Sequence, residues 1–159
     1  MKKWPWFLLA LLVIVVDQVT KHWATVNLLP YEPEPIMPML NFTLAYNTGA
    51  AFSFLSTTGA WHGLFFVGFS VLMSLVLIIW MLRLSNTDKL QAFSLSLILG
   101  GALGNLIDRL TFGKVVDFID VYYQHHHWPI FNIADTAICI GAVLLFLDLW
   151  RQPVAKKDN

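Results

Sequence analysis

The order of apolar and polar positions divides the chain into four long apolar segments separated by short polar stretches. The segments cover about 4–24, 63–82, 90–107 and 130–149, and each approaches the ~20 residues needed to cross a bilayer as a helix. The second carries no charged residue, and the first is uncharged as far as Val16. A helix is the expectation for each, because backbone facing lipid must satisfy its own hydrogen bonds. The pattern predicts an all-α membrane protein, four transmembrane helices forming one integral domain over 1–159.

Between the first two spans lies a segment of about 25–62, and between the last two one of about 108–129. The longer begins with the proline-rich Tyr31-Glu32-Pro33-Glu34-Pro35, which fits neither a helix interior nor a central strand. Asn41 to Tyr46 then alternates partly like a strand and stops at the turn signal Asn47-Thr48-Gly49. A small extracytoplasmic β element against the bilayer is expected there.

Composition strengthens the membrane reading. Hydrophobic residues make up 57% of the chain and charged residues 13%, against about 25% charged in ordinary soluble domains. Zero net charge gives no global basic field, so nucleic acid is not an expected partner. The single cysteine, Cys139, excludes a disulfide within the chain. Lys2-Lys3 before an apolar run also describes a secretory leader, but Asp17-Gln18 stand where a small-residue cleavage site would follow, so a retained anchor is expected.

Basic residues set the orientation. Lys2, Lys3, Arg83, Lys89, Arg151, Lys156 and Lys157 fall on one side, and only Lys21, Arg109 and Lys114 on the other. Both termini are therefore expected in the cytoplasm. Small residues at four-residue spacing (Ser70 and Ser74, then Ser96, Gly100 and Gly104) suit close helix packing.

On this topology the polar residues of separate spans gather at the outer leaflet. Asp17 lies near the outer end of the first span, and Asn105, Asp108 and Arg109 at that of the third. Asp117 lies in the shorter outer segment, Asn47 in the longer, and Asn132 and Asp135 open the fourth span. A charged residue at the centre of a membrane helix costs about 2.5–3.5 kcal/mol on insertion scales, so something must offset it. For Asp17 and Asp108 two readings stand: a functional role, or neutralisation by Lys21 at i+4 and by Arg109 or a neighbour. Asp120 and Asp148 are expected to be interfacial and solvated. Asp135 differs, sitting five residues into the apolar segment beside Phe131, Ala134, Ile138 and Cys139, none of them a cation.

Two carboxylates held close without an adequate cation cannot both ionise, and the pair titrates as a unit. Such a pair can activate a water with one member and protonate a carbonyl oxygen with the other. Asp117 and Asp135 are the best candidates, because the chain between them leaves the membrane and returns. Arg109, Asn47, Asn105 and Asn132 could orient the carboxylates or bind substrate backbone, and each could equally be a satisfied structural hydrogen bond.

Other chemistries have weaker support. His125-His126-His127 cannot all face one metal ion from a regular element and fit a solvated loop better; spacings such as HExxH are absent. Ser53 and Ser56 lack a nucleophile elbow. Gly100 to Gly104 lies in an apolar helix with no Lys-Ser/Thr after it, unlike a phosphate loop.

Five stretches in order resemble signal peptidase II, the prolipoprotein signal peptidase of bacteria. They are Asp17-Gln18-Val19-Thr20-Lys21, Asn47 through Phe52 (NTGAAF), Gly100 through Arg109 (GGALGNLIDR), Val115-Val116-Asp117-Phe118-Ile119, and Phe131-Asn132-Ile133-Ala134-Asp135. The resemblance implies that Asp117 and Asp135 are a catalytic aspartyl pair. It places Asp17, Lys21, Asn47, Gly49, Asn105, Arg109 and Asn132 in the surrounding polar shell. It implies hydrolysis of the peptide bond before a diacylglyceryl-modified cysteine, with lipid-modified prolipoproteins and membrane lipid as partners and no metal or organic cofactor. A monomer in the bacterial cytoplasmic membrane, its site near the outer leaflet, is the expected setting. Phe52 and Phe54 would form an apolar flank, and Gly49 and Gly59 would permit hinging of the outer loop. The rivals are an ion-coupled transporter, for which no polar path crosses the bilayer and no inverted repeat is visible, and an assembly subunit, which leaves Asp135 unexplained.

Overall fold

The computed structural model describes residues 2–49 and 61–151. Phe52, Ser53, Phe54, Ser56, Gly59, Lys156 and Lys157 lie outside them.

Four helices, α1 (Trp4–Asn27), α2 (Trp61–Arg83), α3 (Lys89–Phe112) and α4 (Ile133–Arg151), are long and apolar enough to cross a membrane. Pro5 stands in the first turn of α1, where its missing N–H costs no helical bond. Gly113 ends α3 in the left-handed conformation at φ 69° and donates its N–H to the Arg109 carbonyl. Large apolar side chains such as Leu11 and Val19 of α1, Phe69 and Leu72 of α2, and Val143 and Phe146 of α4 point outward. Such outward faces on helices of spanning length make this a multi-pass membrane protein.

Helix α3 is the central one: 61% of its apolar window is buried, against 17–22% for the other three. Glycines allow its neighbours to come close. A Cβ at Gly100 would stand 2.7 Å from the Ala10 carbonyl oxygen of α1, and one at Gly101 would collide with the Ala134 carbonyl of α4. From α4, a Cβ at Gly141 would likewise stand 2.7 Å from the Ser94 carbonyl oxygen of α3. Ser74 and Ser96 instead return their hydroxyls to carbonyls one turn back in their own helices.

Beyond one end of the helices lies an antiparallel sheet in the order β1 (Glu34–Met37), β2 (Leu40–Asn47), β3 (Val115–Tyr123), β4 (His126–His127). Strand β1, with Pro35, forms an exposed edge where no further ladder bond is required. Strand β3 comes from the shorter outer segment and pairs with β2 of the longer one. Its residues Val115–Phe118 are buried on both faces, so the sequence shows no alternation, and its two aspartates mask the apolar run. Ala24, Leu28, Leu44, Val116 and Phe118 form the small core between α1 and the sheet.

Two element ends also differ from the apolar pattern. Helix α3 continues to Phe112, so Asp108 and Arg109 lie within its last turns. Helix α4 starts at Ile133 and not near 130, because Phe131 still bridges Ile119 of β3 and Asn132 caps the helix. Asp135 therefore sits in the first turn of α4.

Candidate active site

Strand β3 sets the site through its pleat. Asp117 and Asp120 are three residues apart, so they project to opposite faces of the strand. The register pairs Ala45 with Asp117 and Asn41 with Asp120, with a bulge that sets Thr43 and Leu44 against Phe118. Asn47 pairs with Val115, making it the diagonal neighbour of Asp117 on the same face, and its side chain hydrogen-bonds the Asp117 carboxylate.

Asn132 joins this strand to α4. Its Nδ2 donates to Asp117 Oδ1 at 2.6 Å and to the Val116 carbonyl at 3.2 Å, while its Oδ1 accepts the Asp135 backbone N–H at 2.9 Å. That last bond is a helix N-cap. Asn105 reaches the other carboxylate, donating from Nδ2 to Asp135 Oδ1 at 2.8 Å. Asp117 is buried and Asp135 half-buried. Burial, followed by the neighbouring Asp135 charge, pushes the Asp117 carboxyl up to about 7, although hydrogen bonds from Asn132 and Asn47 and the charge of Lys21 oppose the rise.

Behind Asn105 lies a buried ion cluster. Lys21 Nζ is 2.8 Å from Asp17 Oδ2 and 2.9 Å from Asp108 Oδ2, and it donates to Asn105 Oδ1 at 2.9 Å. Asp17 Oδ1 also accepts the Ala134 N–H, and Asp108 Oδ2 the Val116 N–H, so the cluster ties α1 to α4 and α3 to β3. Thus Asp17 pairs with Lys21 at i+4, and the cation of Asp108 is the same Lys21, not Arg109. Gln18 was not among the expected residues; its Nε2 donates to Asp108 Oδ1 at 2.8 Å and to the Gly104 carbonyl at 3.2 Å. Its place in the Asp17–Lys21 stretch was the available signal.

Arg109 donates to the Asn105 carbonyl oxygen at 3.3 Å and lies over the Phe66 ring of α2, 5.7 Å from its centre. Its strongest electrostatic partner is Asp135, with Asp108 and Asp117 next. Gly49 turns at φ 86°, gives its N–H to Asn47 Oδ1, and packs so closely on Phe66 that a Cβ would overlap the ring.

Two cavities meet at Asn47. One, of about 550 Å³, is lined by Trp128, Phe131, Asp135, Ile138 and Cys139. The other, of about 370 Å³, is lined by Thr48, Phe66, Arg109 and Leu110. The arrangement presents two carboxylates, one facing an apolar groove, with amide N–H groups fixed on both. Among the described residues, no three histidine, cysteine or acidic side chains cluster to hold a metal ion.

Two expectations outside this cluster are corrected. Asp120 is not solvated: it is 2% exposed and accepts from Asn41, Thr43 and, at 2.7 Å, the His127 ring. Its burial is outweighed by these bonds, led by His127, which hold its carboxyl below the usual range. The histidine run is not a plain loop, since His126 and His127 form β4 and the His127 ring stacks on Tyr122. Asp148 is half-buried and accepts from Gln91 at 3.0 Å. All three pairings join residues far apart in sequence or across a hairpin.

Residues 9–151 match the family model described as Signal peptidase (SPase) II. The lipoprotein signal peptidase of Acinetobacter baumannii is 52% identical over 154 residues, covering 97% of this chain and 88% of that protein. The lipoprotein signal peptidase of Coxiella burnetii is 48% identical over 155 residues, covering 98% of this chain and 95% of its relative. Among solved structures, a bacterial membrane enzyme determined at 1.9 Å superposes with a TM-score of 0.84 at 33% identity, covering 94% of both chains.

Proposed function

The chain belongs to the signal peptidase II family and removes signal peptides from prolipoproteins, and from that premise we propose that it does so as an aspartyl peptidase with Asp117 and Asp135 as its catalytic pair. The observation that carries this reading is the bracing of both carboxylates by amide N–H groups, Asn132 on Asp117 and Asn105 on Asp135, with Asp135 on the wall of an apolar groove.

Asp117, whose proton is retained to about pH 7, is the acid of the pair. Asp135, which has an amide donor and the Arg109 charge, is the base. The base removes a proton from a water as the water oxygen adds to the scissile carbonyl carbon, and Asp117 protonates the carbonyl oxygen. Collapse of the resulting diol breaks the C–N bond. The amine leaves with the proton held by Asp135, and Asp117 recovers its own from the diol hydroxyl. The bond cut is the one before a diacylglyceryl-modified cysteine. The groove beside Asp135 receives the apolar flank of the substrate.

The setting we propose is the bacterial cytoplasmic membrane, with both termini in the cytoplasm and the pair near the outer leaflet. The basic residues support it: Lys2, Lys3, Arg83, Lys89 and Arg151 lie at the ends of the helices away from the sheet, while Lys21 is buried in its ion cluster.

The test is cleavage of a diacylglyceryl-modified prolipoprotein by purified wild type, Asp117→Asn and Asp135→Asn without added metal. Loss in both folded variants supports the pair. Retained cleavage in either removes that residue from the chemistry.

A further inference from the structure

The polarity of the Asn105 side chain matters for the aspartyl reading above, on which this inference rests. An asparagine beside a carboxylate helps the ionised form only if its NH2 end faces it. The same side chain turned over would set a carbonyl oxygen against the carboxylate and favour the protonated form. Something must choose between the two orientations.

The choice is made on the far side of Asn105. Lys21 carries three donors and no acceptor, and each donor has one oxygen: Asp17 Oδ2 at 2.8 Å, Asp108 Oδ2 at 2.9 Å and Asn105 Oδ1 at 2.9 Å. Lys21 is 3% exposed and Asn105 6%, so water offers no alternative partner. Turning the amide would place its N–H groups against the ammonium and its oxygen against Asp135, two repulsions in place of two hydrogen bonds. Asn132 supports the same orientation, since its Nδ2 also points at Asn105 Oδ1, at 3.2 Å.

We propose that Lys21 is a positioning residue: by holding Asn105 Oδ1 it aims the Asn105 N–H at Asp135 and so fixes which member of the carboxylate pair acts as the base. Lys21 already faces two carboxylates, Asp17 and Asp108, and its charge acts on Asp117 only as the weakest of the influences there. Its effect on Asp135 passes through one amide. Among the described residues, the other charged groups around Asp135 are Arg109 of α3 and Asp117 of β3, while the lining of its groove contributed by α4 and by residues 128–131 carries no other charge.

Two variants test this through the pH dependence of kcat/KM, which a merely structural role would leave unmoved. In Asn105→Asp, the new carboxylate keeps an oxygen on Lys21 but faces Asp135 with an oxygen in place of the N–H. The acid limb should move to higher pH by about one unit or more. In the double variant Lys21→Met/Asp108→Asn, the charge of the buried cluster is unchanged while the amide loses Lys21 and keeps only the longer Asn132 contact. The acid limb should move in the same direction by a smaller amount, and adding Asn105→Asp should then shift it less than it does in wild type.

Folding is checked by thermal unfolding in detergent. An acid limb at the wild-type pH in either folded variant overturns the proposal. Failure of the aspartyl reading would look different, as retained cleavage by Asp117→Asn or Asp135→Asn.

Discussion

Asn132 Nδ2 lies 2.6 Å from Asp117 Oδ1, and by that contact the residue that starts helix α4 also holds the carboxylate of strand β3. Its two functions use different ends of one amide. They can therefore be separated by mutation.

Asn132→Ser keeps a cap oxygen but cannot reach Asp117, whereas Asn132→Ala loses both. Loss of the cap costs about 0.5–2 kcal/mol. Asn132→Ala should melt below Asn132→Ser in detergent, while both lose cleavage by about 100-fold or more, the scale of a lost preorganised donor. Equal melting temperatures would refute the capping role.

The pH dependence follows from Asp117. With its folded carboxyl near 7 and its unfolded one near 3.8, the folded state retains a proton that the unfolded state releases between those values. Stability from this group is thus fully present below about pH 3.8 and declines as pH rises through 7. Cleavage should fall above about pH 7 as Asp117 ionises. Melting curves between pH 4 and 8 should show a smaller decline for Asp117→Asn than for wild type.

Asp120 behaves in the opposite sense. Its lowered carboxyl contributes stability above the ordinary carboxylate range that is lost as pH falls. His127→Ala removes one of its three side-chain hydrogen bonds, should cost on the order of 1 kcal/mol, and should leave kcat little changed. Melting at pH 7 and single-turnover cleavage would check both parts.

Gly104 faces the ion cluster, and a Cβ there would stand 2.6 Å from Asp17 Oδ2. Gly104→Ala should displace Asp17 from Lys21 and destabilise by about 1–3 kcal/mol, read as a lower melting temperature. Gly68→Ala, where nothing lies within 4 Å, is the control that should not.

Cys139 lies one turn beyond Asp135 on the same groove wall and is exposed. A bulky maleimide should label it and block cleavage. Cys139→Ser should stay active and become resistant. A labelled enzyme that still cuts would place the substrate elsewhere.

The candidate site was legible where chemistry conflicts with its surroundings. Asp135 in an apolar segment and Asp117 beside a returning chain stand out because an ionisable group near lipid is costly. Asp17 with Lys21 was readable as an i, i+4 pair. Asp120, Gln18 and the third partner of Lys21 were not, because each depends on contact between distant segments. Strand β3 was hidden for a related reason: burial of both faces removes the alternation by which strands are found.

By itself, then, the sequence determined the spanning helices and the end of the bundle at which polar groups collect, since both follow from local hydrophobicity and covalent spacing. The tertiary structure decided the register that puts Asn47 beside Asp117, the helix start that puts Asp135 on the Asn132 cap, and the orientation of the Asn105 amide. A side-chain amide has two nearly isosteric orientations. Only the lysine packed behind it and the carboxylate in front distinguish them.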